Sequence, residues 1–175
     1  MELSGIGYPA IIVKNIDEST EFYRKLGASV LYSEPNRDDS ESIQLLLHVG
    51  ADNYLMLIGP RDPSLKLAES SLGAGSMQYI TINVTTQFMD QAFFELSNVG
   101  LHGSEEIRRG YERLIFLEDP NGVLLLLVAW TVEPSPGISR ARILARAAQF
   151  RDETGETFIE EPHIRRAIAE IEATF

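Results

Sequence analysis

The sequence contains no cysteine and only three histidines among its 175 residues. Without cysteine there is no disulfide, no thiolate nucleophile and no cysteine-ligated metal site. Basic residues are also scarce, with 15 against 26 acidic residues and a net charge of −11. Because phosphate recognition needs clustered lysine and arginine, this balance argues against nucleic-acid binding. The negative charge favours solubility and is compatible with a cationic ligand.

Long apolar segments are missing as well. The longest is Val123–Trp130, "VLLLLVAW", which is far shorter than the roughly 20 residues of a membrane-spanning helix. The opening residues, "MELSG", lack the basic and apolar segments of a signal peptide. We therefore expect a cytoplasmic protein without a membrane partner, and a chain of this length forms one domain or one domain with an appendage.

An internal duplication is the clearest organisational signal. The segment Tyr8–Gly27, "YPAIIVKNIDESTEFYRKLG", predicts a strand followed by a helix that Asn15 or Asp17 caps. The pattern returns at Tyr79–Gly100, "YITINVTTQFMDQAFFELSNVG". The matching pairs are Tyr8 with Tyr79, Val13 with Val84, Phe22 with Phe93 and Tyr23 with Phe94.

Each copy continues with three extended segments, and turn residues precede the last strand of each. These turns are Gly50–Asn53 and Asp119–Gly122, "DPNG", in which proline presets φ and Asn-Gly favours left-handed backbone. The predicted strands are Val30–Tyr32, Ser42–Val49 and Tyr54–Ile58 in the first copy, and the region around Leu101, Arg113–Leu117 and Val123–Trp130 in the second.

The predicted fold class is therefore α+β, with two tandem βαβββ modules over about residues 3–59 and 76–130. The intervening linker, 60–75, is rich in Gly, Pro and Ser, with a short helical turn expected at Ser64–Ala68. Residues 131–175 form a C-terminal helical extension, with one helix over Ile138–Phe150 and another after Pro162. The apolar stripe of the second helix is Ile164, Ile168, Ile171 and Phe175. We expect these helices to pack on their own domain, and the alternatives are a dimer contact or a lid.

The duplicated module, the stretch "VKNIDESTEFYRKLG" and the closing "DPNG" together resemble the vicinal-oxygen-chelate superfamily of glyoxalases, bleomycin-resistance proteins and extradiol dioxygenases. The resemblance extends from Leu3 to about Trp130. It implies that each module curls into half of an open, barrel-like sheet, that the two halves enclose a cleft, and that the protein is a homodimer. In enzymatic members it also implies a divalent metal, held by a histidine that opens the first strand and a glutamate inside the last strand of each module.

The residues at those four places do not match that ligand set. Tyr8 and Tyr79 occupy the histidine positions, Leu126 occupies one glutamate position, and Met56 or Leu57 occupies the other. Two phenols, a leucine and a thioether or second leucine are not donors for a hard divalent ion. His48, His102 and His163 all lie elsewhere, and His102 and His163 are expected at the surface. We therefore expect no metal and no cofactor.

Alternation along the inner strands predicts which residues face the cleft. The lining is mostly aliphatic and aromatic with a few polar groups, which is typical of a small-molecule pocket. The alternative is that these side chains fill the barrel and close it. The expected ligand-binding residues are Tyr8, Ile12, His48, Met56, Tyr79, Thr81, Asn83, Leu124, Leu126 and Trp130, the last near the rim.

Three functions compete at this point. The first is a metal-free protein resembling bleomycin-resistance proteins, which sequesters or carries an apolar ligand, including a cationic one, and has no catalytic residue. The second is a glyoxalase- or dioxygenase-like enzyme (lyase, isomerase or oxidoreductase) with a non-standard or metal-free site, in which Tyr8 or Tyr79 acts as acid or base. The third is a non-catalytic dimeric assembly protein that uses its C-terminal helices as the interface.

Overall fold

A computed structural model describes residues 5–69, 71 and 73–174 of the chain. Phe175 and the start of the predicted first module, at residue 3, lie outside the described residues. The first module comprises β1 (Ala10–Ile12), α1 (Ile16–Lys25), β2 (Ser29–Pro35), β3 (Ser42–His48) and β4 (Tyr54–Pro60). The second comprises β5 (Ile80–Asn83), α2 (Thr86–Asn98), β6 (Ile107–Arg109), β7 (Glu112–Glu118) and β8 (Leu124–Trp130). Two helices follow, α3 (Arg140–Thr154) and α4 (Glu161–Glu172).

The start and end of α1 follow from its sequence. Asn15 is the N-cap, and its side-chain oxygen accepts hydrogen bonds from the backbone N–H groups of Asp17 (2.9 Å) and Glu18 (3.1 Å). This pairing satisfies two of the four N–H groups that a helix leaves free at its start. Gly27 follows the helix with φ of 94°, a backbone conformation that glycine adopts at little cost. The predicted cap and helix end are confirmed.

Each module forms a four-stranded sheet. The strand order is β1-β4-β3-β2 in the first sheet and β5-β8-β7-β6 in the second. In the first sheet β1 runs parallel to β4, and the other pairs are antiparallel. The register of β2 against β3 shifts between Val30 and Tyr32, which places an extra residue in β2. Two tandem βαβββ modules of the α+β class are therefore confirmed.

The strand predicted around Leu101 was wrong, because the outer strand of the second sheet is Ile107–Arg109. The segment before it is held to β7 by Ser104, whose backbone N–H donates to the Phe116 carbonyl (2.9 Å). The Ser104 hydroxyl in turn accepts from the Phe116 N–H at 3.0 Å. The Ser104 hydroxyl thus accepts a hydrogen bond that the backbone of a neighbouring strand would otherwise accept. The segment around Ser104 therefore remains irregular.

The helical turn predicted at Ser64–Ala68 was also wrong. A short turn from Asp62 to Leu65 overlaps its start, and in this turn the Leu65 N–H donates to the Asp62 carbonyl (3.1 Å) and the Ser64 N–H donates to the Asp62 side chain (2.9 Å). The Asp62 carboxylate therefore stabilises a local turn that does not continue into a helix.

The chain divides into two compact units. The first contains the chain up to Ile80 together with Asn98–Leu101 and Glu118–Leu124, so the DPNG turn of the second module belongs to it. The second contains Thr81–Ser97, His102–Leu117 and the chain from Leu125 onward. Within the part of the chain that the structure describes, no helix is long and apolar enough to cross a membrane.

The C-terminal helices pack within the second unit, as expected. Their apolar faces form a buried cluster with Trp130 at the end of β8. Phe150 is fully buried in this cluster, with the guanidinium groups of Arg146 and Arg166 lying 4.1 and 3.6 Å from its ring centre. Such stacking shields the ring while the charges remain near solvent. The remaining buried members of the cluster are Ile143, Ala147, Ile164, Ala167, Ile168 and Ile171.

Candidate functional site

One face of the first sheet is covered by α1, and its other face carries several predicted ligand-binding residues. A Cβ atom on Gly59 would lie 2.9 Å from Ile16, the first residue of α1, and 3.0 Å from the side chain of Val13. Ile12 lies on the opposite face, because neighbouring residues of a strand alternate between the two faces. Its side chain is 71% exposed, while Val13 is fully buried. The face of the first sheet that carries Ile12 is called the Ile12 face below.

Pairing across the strands shows what surrounds Ile12. Ile12 pairs with Ile58, Ala10 pairs with Met56, and Met56 pairs with Leu46. Directly paired residues share a face of a sheet, so these side chains form an apolar patch on the Ile12 face. Met56 is buried at its centre, whereas Ile12 projects into solvent.

Polar groups surround this patch on the same face. His48 pairs with Tyr54, and its Nε2 lies 2.5 Å from the Ala51 carbonyl. The Tyr54 hydroxyl donates to the Asp52 carboxylate, and this bond and the negative charge raise the pKa of the phenol. Gln44 pairs with Glu34 and donates to it at 2.7 Å. His48 is thus half-buried and already hydrogen-bonded by its own turn.

The predicted site residues of the second sheet differ widely in exposure. Thr81 and Asn83 in β5 are exposed, Leu124 is half-buried, and Leu126 is fully buried. Trp130 was expected near the rim of a cleft, and this placement was wrong. Its side chain is only 4% exposed, because it packs in the buried cluster with α3 and α4. Tyr8 is 51% exposed and Tyr79 is half-buried.

Arg140, the first residue of α3, contacts two of these predicted residues. Its guanidinium donates to the Asn83 side chain at 3.1 Å and lies 4.8 Å from the centre of the Trp130 ring. The same guanidinium is paired with Glu133 at 2.9 Å. The C-terminal extension therefore contacts both Asn83 and Trp130 through Arg140. Sequence periodicity could not predict these contacts.

The register of the last strands settles which residue of the first module matches Leu126. The Val13 N–H donates to the Ile58 carbonyl (2.8 Å), and the Val84 N–H donates to the Val128 carbonyl (2.9 Å). Counting back two residues from each acceptor matches Met56 with Leu126. The choice between Met56 and Leu57, which the sequence left open, is therefore Met56.

The donor set implied by the resemblance does not fit a metal. Met56 is 3% exposed and Leu126 is fully buried. A thioether and an alkyl group offer a hard divalent ion no oxygen or nitrogen ligand, and neutral phenols are weak ligands. Among the described residues, no three His, Cys, Asp or Glu side chains are grouped so as to hold an ion.

A cavity of about 480 Å³ lies in the first unit, with Ile12 in its wall. This volume is within the usual range for small-molecule sites, about 300–1,000 Å³. Three segments form the wall: the end of β1 with Lys14, the linker at Leu67–Glu69, and the turn from Glu118 to Gly122. Ile12 is the one predicted ligand-binding residue in this lining.

The DPNG turn is fixed in place by its own side chains. The Asp119 carboxylate is 4% exposed and accepts from the backbone N–H groups of Asn121 and Val123, each at 2.8 Å. The Asn121 side chain accepts from the Lys14 N–H (2.8 Å) and donates to the Ser19 hydroxyl (2.9 Å). Positive φ is confined to Gly122 within the turn, at 85°. The Asp119 carboxylate therefore organises the turn.

Of the residues that the structure describes, three charged ones line the cavity, Lys14, Glu69 and Glu118, and all three are exposed. No ion pair is found for any of them among the described residues. Two carboxylates against one ammonium give the lining an excess of negative charge, which favours a ligand with a cationic group. Sequence reasoning missed Glu69 and Glu118, because nothing in the sequence brings the linker beside the DPNG turn.

His163 was expected at the surface, and this was wrong, because it is only 5% exposed. Its Nδ1 accepts from the Glu160 N–H at 3.0 Å, and its Nε2 lies 3.3 Å from the Thr154 hydroxyl. The imidazole thus caps the start of α4 and packs against the end of α3. Its role is structural.

Comparison with known proteins agrees with this architecture. Residues 5–127 match the sequence profile of the Glyoxalase/Bleomycin resistance protein/Dioxygenase superfamily. The chain belongs to this superfamily. A sequence search of curated proteins finds no significant match. The C-terminal helices of this superfamily member lie outside the matched residues.

Solved structures show the same fold at low sequence identity. The glyoxylase/bleomycin resistance protein/dioxygenase domain from Frankia sp. EAN1pec has a TM-score of 0.62 and 12% identity over 74% of this chain and 93% of its own. The fosfomycin resistance protein FosX from Listeria monocytogenes has a TM-score of 0.57 and 20% identity over 75% and 97%. A glyoxalase family protein from Enterococcus faecalis has a TM-score of 0.55 and 21% identity over 73% and 97%. At these identities the likeness establishes the fold alone.

Proposed function

We propose that this protein binds a small, largely apolar molecule with a cationic group, and that it does so without a metal. The observation that carries the proposal is the cavity of about 480 Å³ beside Ile12, whose lining contains Glu69 and Glu118. The exposed Ile12 supplies an apolar contact, and the carboxylates supply charge complementarity. Sequestration or transport of such a molecule is the function that needs no catalytic residue.

The residues at the family's metal-ligand positions, which lie outside the cavity lining, support binding over turnover. The positions equivalent to the metal ligands of enzymatic relatives hold Tyr8, Tyr79, Met56 and Leu126, which give a hard ion no adequate donor set. Binding energy remains available from apolar contact with Ile12 and Leu67 and from charge pairing with Glu69 or Glu118.

The test uses three matched series of planar apolar compounds that are cationic, neutral and anionic. Thermal shift and isothermal titration calorimetry are measured on the whole chain, with and without EDTA. We expect the cationic series to bind and to raise the melting temperature, and EDTA to have no effect. Failure of all three series to bind, or binding that requires Mn²⁺ or Zn²⁺, contradicts the proposal.

A matched pair of variants localises the site. Ile12 and Ile6 are both exposed isoleucines of the first unit, at 71% and 91%, and only Ile12 lines the cavity. We expect Ile12→Ser to weaken binding about tenfold, since it removes most of an apolar side chain worth about 1.5–3 kcal/mol when buried. Ile6→Ser serves as the control and leaves affinity unchanged. Equal effects of the two substitutions place the ligand elsewhere.

A further inference from the structure

The outer face of α2 carries two large apolar side chains that project into solvent. Phe93 is 87% exposed and Phe94 is 65% exposed. The inner face of this helix buries Met89, Ala92 and Leu96, so the phenylalanines do not belong to the core of the second unit. A single exposed apolar residue needs no explanation, but two adjacent phenylalanines form an apolar patch of the kind that marks an interaction site.

The internal duplication shows that this exposure is specific to α2. Phe93 corresponds to Phe22 of α1, which is half-buried. Phe94 corresponds to Tyr23, which is only 1% exposed. The same helix position is therefore covered in the first module and open in the second, so the fold of the module does not require the patch.

The C-terminal end of α2 also lacks the charges that stabilise such an end. The backbone dipole makes the last turn of a helix negative and favours cationic side chains there. The first module follows this rule, because the last turn of α1 contains Arg24 and Lys25. The last turn of α2 has no basic residue, and the residue that corresponds to Arg24 is Glu95. A carboxylate therefore lies at the negative end of this helix.

The acidic side chains of α2 are not neutralised at its surface. Glu95 is exposed and has no ion-pair partner among the described residues. Asp90 is paired with Arg113 at 2.7 Å, but the Asp90 side chain is largely exposed and Arg113 is largely buried. Arg113 also pairs with Glu106 at 2.7 Å. One guanidinium is thus shared by two carboxylates, and α2 presents negative charge to solvent without a cation of its own.

These carboxylates lie beside the two rings. Residues three and four positions apart are neighbours on a helix surface, so Asp90 is next to both Phe93 and Phe94. With 3.6 residues in each turn, Glu95 lies on the other side of Phe94 from Asp90. The apolar surface of Phe94 is therefore bordered by negative charge on both sides.

A partner that combines apolar and cationic groups matches this surface. Covering the phenylalanines removes apolar area from water. A lysine or arginine next to Glu95 pairs with its carboxylate and also complements the negative end of the helix. A cation that lies over a phenylalanine ring adds a further attraction. A second copy of the chain is a poor source of such cations, because its net charge is −11.

A basic amphipathic helix has this chemistry in the required arrangement. It presents an apolar stripe that has polar residues on both sides, and helices pack by fitting the side-chain ridges of one into the grooves of the other. The 13 residues of α2 form a rod of roughly 20 Å, which offers three to four turns to a partner helix. Lysine and arginine on both flanks of the apolar stripe then face the carboxylates of α2.

We propose that the outer face of α2 is a docking surface for a basic amphipathic helix of another protein, with Phe93 and Phe94 as the apolar contacts and Glu95 as the charge contact. This docking surface is separate from the cavity beside Ile12, and the proposal does not depend on ligand binding there.

Two synthetic helical peptides test the proposal. Both carry the same leucine stripe, and its flanks contain lysine and arginine in one peptide and glutamate in the other. Fluorescence anisotropy measures binding of each peptide to the full chain at low and at high salt. We expect the basic peptide to bind, more weakly as salt is raised, and the acidic peptide not to bind. Failure of the basic peptide to bind, or equal binding of both peptides, overturns the proposal.

Removal of the apolar contacts locates the peptide on α2. We expect the double substitution Phe93→Ser with Phe94→Ser to weaken binding of the basic peptide about tenfold or more. Phe158→Ser is the matched control, because Phe158 is 70% exposed and lies in the loop between α3 and α4. Circular dichroism checks that each variant is folded. Equal affinities of the double variant and the control contradict docking on α2.

A charge reversal separates contact at α2 from attraction to the acidic chain as a whole. Glu95→Arg gives α2 the residue type that α1 has at Arg24, so the helix tolerates it. Glu21→Arg makes the same change in net charge at an exposed position of α1. We expect Glu95→Arg to weaken binding of the basic peptide about fivefold and Glu21→Arg to have a much smaller effect. Equal effects show that the peptide responds only to net charge, and they overturn the proposal.

Two further measurements distinguish other occupants and other sites. Ile12→Ser and Glu118→Gln alter the cavity, and we expect neither substitution to change affinity for the basic peptide. Weaker binding in these variants places the peptide in the cavity and contradicts docking on α2. Sedimentation velocity and phosphatidylcholine vesicles are applied to the chain without peptide. Self-association or vesicle binding that the double phenylalanine substitution abolishes assigns the patch to a different occupant and also contradicts the proposal.

Discussion

The Tyr23 hydroxyl donates a hydrogen bond to Asp119 Oδ2 at 3.2 Å, although the two residues are 96 positions apart in the sequence. Both are buried, with exposures of 1% and 4%. The bond fixes the DPNG turn against α1 within the first unit. Because Glu118 and Asn121 of the same stretch line the cavity, this buried pair positions one of its walls.

The Tyr23–Asp119 pair predicts a loss of stability at high pH. Burial, followed by the negative charge of Asp119 and their hydrogen bond, raises the pKa of Tyr23 well above its ordinary value. The unfolded chain releases the proton near pH 10, so the stabilisation is complete below that pH and declines as the pH rises further. Above pH 10 we expect the free energy of unfolding of the wild-type chain to fall with pH more steeply than that of Tyr23→Phe. The difference in slope is about 1.4 kcal/mol per pH unit.

Urea unfolding between pH 8 and pH 11 measures this difference. Tyr111, whose pKa burial also raises, remains in both proteins and does not contribute to the comparison. At pH 8 we expect Tyr23→Phe to cost about 1–2 kcal/mol through the lost hydrogen bond. If the free energies of unfolding of the two proteins change with pH in parallel, the pKa of Tyr23 is not raised in the folded chain.

Asp119→Ala should destabilise the chain more strongly than Tyr23→Phe. The carboxylate also accepts from the Asn121 and Val123 backbone N–H groups, so its removal leaves the buried Tyr23 hydroxyl and two part-buried backbone donors without their acceptor. We expect a loss of about 3 kcal/mol or more in the free energy of unfolding. Asp38→Ala is the control, because Asp38 is exposed and its removal should change stability by no more than about 0.5 kcal/mol. A loss as small as that of the control would show that the turn does not depend on Asp119.

Phe150→Ala tests the packing of the C-terminal helices. The ring is fully buried between α3 and α4, so its removal leaves a cavity and costs about 3–5 kcal/mol. Phe158→Ala removes the same atoms from a side chain that is 70% exposed, and we expect a cost below about 0.5 kcal/mol. Denaturant unfolding separates the two variants, and similar midpoints for both would contradict this packing.

Glu118→Gln tests the charge preference of the proposed site. Removing one carboxylate from the cavity should weaken binding of a cationic ligand several-fold, because an exposed charge pair contributes about 0.2–1 kcal/mol. We expect the effect to shrink as salt is raised. Glu105→Gln, at an exposed position outside the cavity, leaves affinity unchanged, and calorimetry at two salt concentrations measures both variants. A Glu118 effect independent of the ligand's charge would show that the carboxylate acts only through local structure.

The fold followed closely from the sequence because its signals are local or repeated. Asn15, Gly27 and Pro162 are local signals of helix ends, and the duplication made each module a check on the other. Where a local pattern failed, a nearby side chain replaced a backbone interaction, as Ser104 does beside β7. The strand predicted around Leu101 was wrong for this reason.

The sequence by itself determined the superfamily, the two βαβββ modules and the absence of a conventional ligand set at Tyr8, Tyr79 and Leu126. These are properties of residue type and spacing, which a linear pattern contains. Only the tertiary structure decided that Asp119 is buried, that Trp130 lies under the C-terminal helices and that Glu69 and Glu118 share a cavity. Each of these depends on contacts between distant segments, and neither periodicity nor turn chemistry specifies which segments meet.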